Sequence, residues 1–205
     1  MSPLKIIANS LILIGVIVLL VIFGPVAMIE ITYTINRATG VRYSISPVDG
    51  NTFERPLTFP NTDFSIAIPK IGAVAPIVAN VDSQNKHAYL KALKEGVAQA
   101  AGTAFPGEAG NVYLFAHSTD AFYNVGKYNA IFYLIGKLSK GDEIYVYYRD
   151  RRFKYVVGEV KVVSPNEIDY LAGNPDKNTL TLQTCYPPGT TFERLIVIAD
   201  EVGFQ

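Results

Sequence analysis

The run Thr179-Leu180-Thr181-Leu182-Gln183-Thr184-Cys185, followed by Tyr186-Pro187-Pro188-Gly189, reads as a β-strand that stops at a turn. Side chains alternate along a strand. Leu180, Leu182 and Thr184 therefore share one face, and Thr181, Gln183 and Cys185 share the other. The leucines take the core side, so Cys185 points away from the core at a strand end. It is the only cysteine in the chain, which excludes an intrachain disulfide and a multi-thiolate zinc site. A free cysteine is most often a small buried hydrophobe. One that faces outward at a strand end is poorly explained by packing.

A thiol with an ordinary pKa is only a few per cent thiolate at neutral pH and needs a nearby base or cation. The chain has two histidines. His117 ends a second strand, Asn111–His117, and Ser118-Thr119-Asp120 turns away from it. His87 lies in a Lys-rich helical stretch and reads as a solvated surface residue. Arg194 opens the last strand, across a short Pro/Gly/Thr loop from Cys185. Strands joined by such a loop are expected to be neighbours, which puts a fixed cation beside the thiol, where it can stabilise an oxyanion.

The other signals are also mostly β. Phe64–Ile68 alternates and stops at Pro69. Val74–Val78 is a short strand that Pro76 assigns to a sheet edge. Glu143–Tyr148 and Arg152–Val163 form a hairpin with Asp150 in the turn, and Thr179–Thr184 and Arg194–Val202 are the last two strands. Asn85–Glu95 suits a short helix ended by Gly96, Tyr128–Leu138 a second helix with a partly buried face, and Pro165–Leu171 one helical turn. Many short strands with two or three short helices describe a closed β-barrel or a sandwich.

The chain has 205 residues, with 18 Lys+Arg and 18 Asp+Glu. A net charge of zero argues against a nucleic-acid binder driven by a global positive field. At 49% hydrophobic the chain is too apolar to be disordered, and the excess is local: Met1–Ile29 carries one charge, Lys5. Residues 6–29 are uncharged and long enough to cross a bilayer, which needs about 20 apolar residues in a helix. The run is longer than a signal-peptide core and no A-x-A site follows it, so an uncleaved anchor is the reading. Lys5 on one side and Arg37 and Arg42 on the other leave the orientation undecided by charge. The expected organisation is a short tail at 1–5, an anchor at 6–29, a linker or N-terminal arm at 30–60 and one domain at 61–205.

Together these residues resemble the sortase family of membrane-anchored cysteine transpeptidases. Thr181-Leu182-Gln183-Thr184-Cys185 matches its TLxTC signature, and His117, Cys185 and Arg194 follow its catalytic order. Ile68-Pro69-Lys70-Ile71-Gly72 with Ala75-Pro76-Ile77, the stretch Gly102–Glu108, Gly141-Asp142 and Arg194-Leu195-Ile196-Val197 match as well. The resemblance covers about Asp63 to Val202. The family often has Gly before the catalytic His, where this chain has Ala116, and the arm carries no Asp-Pro-aromatic lid of the pilus-assembling members.

The resemblance implies a mainly β fold, a closed eight-stranded sortase-like barrel behind one N-terminal transmembrane helix. Cys185 would attack a C-terminal sorting signal, commonly LPxTG-like, and form a thioacyl enzyme. His117 would be the general acid and base, and Arg194 would hold substrate or oxyanion. Thr184, Ala116 and Gln183 would line the substrate site, with Thr184 at the oxyanion position. Loop Ser164–Asn178 would form one wall of the peptide groove, and Tyr186–Glu193 would border the path of the amine. The implied partners are surface proteins bearing a sorting signal, an amine acceptor such as a cell-wall precursor or a pilin Lys, and the membrane. The implied location is the cell membrane, single-pass, with the N-terminus inside. The family needs no organic cofactor. Some members bind calcium, and no local acidic cluster here supports a metal. The competing readings are an L,D-transpeptidase-like peptidoglycan enzyme, whose Arg stands much closer to its Cys, and a non-catalytic membrane-anchored β-domain that binds a partner.

Overall fold

The computed structural model describes residues 3–45, 53–119, 128, 130–172 and 177–204. One helix, α1 (Pro3–Ala38), opens the chain and runs uninterrupted through Pro25. It is long and apolar enough to cross a membrane. Its apolar residues are exposed all round, Leu11, Ile12 and Leu20 among them, and Val26 alone is buried. A helix apolar on every side is suited to lipid.

The helix continues past Ile29 to Ala38, into the stretch read as a linker or N-terminal arm. It ends where Gly40 caps it. With φ +74, Gly40 lets its own N–H reach Arg37 O and the Val41 N–H reach Asn36 O at 2.9 Å, a Schellman cap. The C-terminal end of α1 also touches the domain. Glu30 pairs with Lys137 at 3.1 Å, and Asn36 Nδ2 donates to the Tyr43 hydroxyl at 3.0 Å. The Tyr43 ring covers Gly72, where a Cβ would stand 2.7 Å from the ring.

Two short parallel strands follow, β1 (Arg42–Ser44) and β2 (Glu54–Pro56). The barrel is built from β3 (Phe64–Ile68), β4 (Ala73–Val81), β5 (Val97–Ala100), β6 (Gly110–Phe115), β7 (Glu143–Tyr148), β8 (Arg151–Val163), β9 (Asn178–Tyr186) and β10 (Glu193–Phe204). They close in the order β10-β8-β7-β3-β4-β5-β6-β9. Helix α2 (Lys86–Glu95) links β4 to β5, and α3 (Asp169–Ala172) lies between β8 and β9. The expected mainly β barrel with a few short helices is what forms. Ile66, Leu114, Ile144, Val146, Phe153, Leu180, Leu182 and Val197 fill its interior, each 1% exposed or less. Burying such side chains stabilises by about 1.5–3 kcal/mol apiece.

Three local expectations are corrected. The strand around Pro76 is not at an edge, because β4 pairs with both β3 and β5. The ladder to β5 begins at Ile77, one residue after Pro76, so the missing proline N–H falls before it. Strand β5 was not anticipated. Val97-Ala98-Gln99-Ala100 has no alternation to read, since all four residues are buried. Finally, among the described residues of 128–138, 128 and 130–134 lie in tight turns that lead into a 3₁₀ turn at Ile135–Lys137, not in an α-helix. Its N–H groups reach back three residues, as Tyr133 does to Ala130 O and Lys137 to Leu134 O. Phe132, Ile135 and Leu138 are all buried. Their spacing of three is the 3₁₀ period, which stacks them on one side.

Candidate active site

Strand β9 lies between β6 and β10, and register sets the site. On one side β9 and β10 are antiparallel, with Arg194 the partner of Cys185. On the other side β6 and β9 are parallel, with Phe115 the partner of Gln183. The Ala116 N–H extends that pairing to Gln183 O at 3.2 Å. Two residues further along stand Cys185 on β9 and, past the end of β6, His117. His117, Cys185 and its β10 partner Arg194 all line one groove. Laterally paired residues of a sheet point to the same face, and neighbouring strands lie about 4.8 Å apart. His87, on α2, is exposed and is not among the residues that line this groove.

The alternation of β9 is as read. Leu180 and Leu182 are fully buried in the core, while Cys185 is half-buried on the opposite face. Thr184 is buried, and its hydroxyl donates to Ala116 O at 2.9 Å. A hydroxyl has one proton, so that of Thr184 is committed to bracing β9 against the residue before His117. The His117 carbonyl in turn accepts from the Phe132 N–H at 3.4 Å, which fastens the end of β6 to the turns above it.

Arg194 is held by the loop that joins β9 to β10. Its Nη1 donates to Thr191 O at 3.1 Å and to Glu193 O at 3.0 Å. Both Nη1 protons are spent there, and the rest of the planar fork is directed by that grip.

The groove has a volume of about 460 Å³, within the usual range for ligand sites. One wall carries Pro165, Glu167, Ile168 and Leu171 from the β8–β9 connection; the other carries Gly189, Thr190 and Thr191. Ala116, Gln183 and Thr184 line it as well. Residues 173–176 of the first wall fall outside the described residues.

Two residues of the site were missed by sequence reading. Asn111 is 3% exposed; its Oδ1 accepts from Thr179 and Thr181, each at 3.0 Å, and its Nδ2 donates to Tyr170 O at 2.7 Å. It ties β6 and β9 to the α3 wall of the groove. An Asn opening a strand between a Gly and a Val was the available signal. Tyr113 is 4% exposed, lines the groove and donates its hydroxyl to Gln183 Oε1. Burial pushes the Tyr113 pKa up, against the smaller pull of the Arg194 charge, so the phenol stays protonated. Among the described residues no three His, Cys, Asp or Glu gather where they could hold a metal ion.

A family model of the sortase domain matches residues 66–202. The chain belongs to the sortase family. Among solved structures, a sortase D transpeptidase of Clostridium perfringens is 32% identical, with a TM-score of 0.57 over 69% of this chain and 79% of that one. Sortase C of Clostridium perfringens, solved with the C-terminal cell wall sorting motif, is 35% identical, with a TM-score of 0.57 over 68% of this chain and 69% of that one. Sortase D of Bacillus subtilis strain 168 is 28% identical over 60% of this chain and 53% of its own length. Sortase A of Bacillus anthracis is 28% identical over 67% of this chain and 59% of its own length. This sortase thus spans little more than half the length of the curated relatives it matches.

Proposed function

We propose that this sortase is a membrane-anchored cysteine transpeptidase that cleaves a C-terminal, LPxTG-like sorting signal and passes the substrate protein to an amine. The observation that supports it best is that His117, just past β6, and the paired Cys185 and Arg194 of β9 and β10 line one peptide-sized groove. The Cys185 thiolate attacks the scissile carbonyl carbon, and the C=O electron pair moves to oxygen beside the Arg194 guanidinium. Collapse expels the amine of the following residue, which takes a proton from His117 and leaves a thioester on Cys185. An incoming primary amine gives its proton back to His117, attacks the thioester and releases the thiolate. Thr184 braces the site through Ala116, and Ala116 and Gln183 line the path of the peptide.

The acceptor amine belongs to a cell-wall precursor or a pilin Lys. In this reading α1 holds the enzyme in the membrane with its N-terminus inside and the barrel outside, where surface proteins arrive. The test is Cys185→Ala. The variant should stay folded, because a half-buried strand-end thiol contributes little packing, yet form no thioacyl adduct by mass spectrometry and release no product. A folded variant that still cleaves removes the cysteine mechanism. Protease added to intact protoplasts should digest the barrel; full protection refutes the orientation.

A further inference from the structure

Tyr113 and Gln183 form a hydrogen-bonded unit in the groove, and the acyl and proton transfers above use neither. In the parallel β6–β9 register, Tyr113 is the partner of Thr181 and Phe115 of Gln183, so Tyr113 reaches Gln183 diagonally. The phenol O–H donates to Gln183 Oε1. A carboxamide oxygen only accepts, so this bond leaves the two N–H donors at the far end of the amide, away from Tyr113. No bond from those donors to another described residue accompanies it. Tyr113 is almost fully buried and Gln183 half-buried, and both line the groove. Gln183 and Cys185 lie on the same strand face two residues apart, a separation of about 6–7 Å. An extended peptide has the same rise and presents its carbonyls alternately to either side. Walls formed by Ile168 and Leu171 on one side and Thr190 on the other leave a channel suited to an extended chain.

We propose that Tyr113 is a positioning residue that aims the Gln183 amide N–H₂ into the groove, where it donates to a backbone carbonyl of the sorting peptide about two residues from the scissile bond. The assignment rests on the transpeptidase reading. It concerns the acyl-donor peptide and not the amine, because a small amine needs only to reach the thioester at Cys185.

The test is steady-state kinetics of wild type, Tyr113→Phe, Gln183→Met and the double variant, with a fluorogenic sorting-signal peptide and a separate amine. Each single change removes one hydrogen bond with little loss of volume. Each should raise KM for the peptide roughly tenfold, the scale of one directed hydrogen bond, with kcat and KM for the amine within about threefold. Because Tyr113 acts through Gln183, the double variant should be no worse than Gln183→Met alone. A peptide with an ester in place of the amide at that carbonyl should bind wild type more weakly and leave Gln183→Met unaffected. An unmoved peptide KM in Tyr113→Phe, losses that multiply in the double variant, or a lowered Tm with kinetic constants unchanged would each overturn the assignment while wild type still turns over peptide. Wild type that turns over no sorting peptide would overturn the transpeptidase reading and this assignment with it.

Discussion

Arg194 stands directly opposite Cys185 across the β9–β10 ladder, and its guanidinium is gripped by Thr191 O of the loop between the two strands and by Glu193 O at the start of β10. The grip separates charge from geometry. If only a positive charge near the thiol mattered, Arg194→Lys would keep most activity. A Lys ammonium is a point charge on a flexible stem and cannot hold two loop carbonyls while directing donors elsewhere from a rigid plane. Removing one oxyanion donor costs roughly 2.7–4 kcal/mol, about 10²–10³ in kcat. Arg194→Lys and Arg194→Ala should each lose at least about a hundredfold, mainly in kcat, with circular dichroism unchanged. A folded Lys variant within a few-fold of wild type would leave Arg194 a general electrostatic contributor only.

The same ladder shows why much of the site was legible. Leu180 and Leu182 turned one face of β9 to the core, which fixed Cys185 on the other face; the short loop to Arg194 made β10 its neighbour. The hairpin turn was legible too, and Arg149 and Asp150 adopt the positive φ of a two-residue turn there. What stayed hidden depends on long-range contacts. Residues Val97–Ala100 form a strand because Gly96 admits the chain beside Pro76 and because Gln99 is satisfied by the Asn80 N–H, Thr103 O and Thr103 Oγ1. No local pattern carries that. Residues 128–138 have apolar spacing that an amphipathic helix shares, and the diversion of the Phe132 N–H to His117 O, far away in sequence, is one contact no helical pattern foretells. The roles of Asn111 and Tyr113 stayed hidden because their partners lie some 60–70 residues downstream.

In the proposed mechanism His117, just past the end of β6, gives and takes the protons of the reaction at Cys185. The pH dependence of kcat/KM should be bell-shaped, with two limbs that belong to the pair and not to either residue. His117→Ala should lower the rate by orders of magnitude at neutral pH and remove the bell shape. Near-normal activity in that variant would mean that another group supplies the proton.

Gly96 tests the packing that brings β5 into the barrel. A Cβ at this position would stand 2.2 Å from the Pro76 carbonyl oxygen, closer than any real contact. Its φ of 164° is ordinary extended backbone, so the cost is steric alone. Gly96→Ala should therefore destabilise by roughly 1–3 kcal/mol, the range of overpacked cores, and lower Tm accordingly. Because the main clash is with backbone, adding Pro76→Ala should not restore stability. Full rescue by the second change would place the conflict on the proline ring instead.

Asn111 separates fold from groove. Its Oδ1 takes the hydroxyl protons of Thr179 and Thr181, and its Nδ2 reaches Tyr170 O at 2.7 Å, so one buried side chain joins β6, β9 and the α3 wall. Two substitutions divide these duties. Asn111→Leu keeps the volume and strands the two threonine hydroxyls and the Tyr170 carbonyl; each buried group left unpaired costs about 1–3 kcal/mol, and the variant should be several kcal/mol less stable. Asn111→Asp keeps acceptors for both threonines but has no N–H for Tyr170. It should retain more of the barrel's stability than the Leu variant and specifically loosen the wall that carries Ile168 and Leu171. Hydrogen exchange should then rise at Asp169–Ala172 while β6 and β9 remain protected. The KM for a sorting peptide should rise in step, with kcat less affected, because in the proposed reading the wall would contact substrate and not the reacting atoms. Equal exchange across α3, β6 and β9 in Asn111→Asp would show that the side chain holds the barrel as a whole and has no separate duty at the groove.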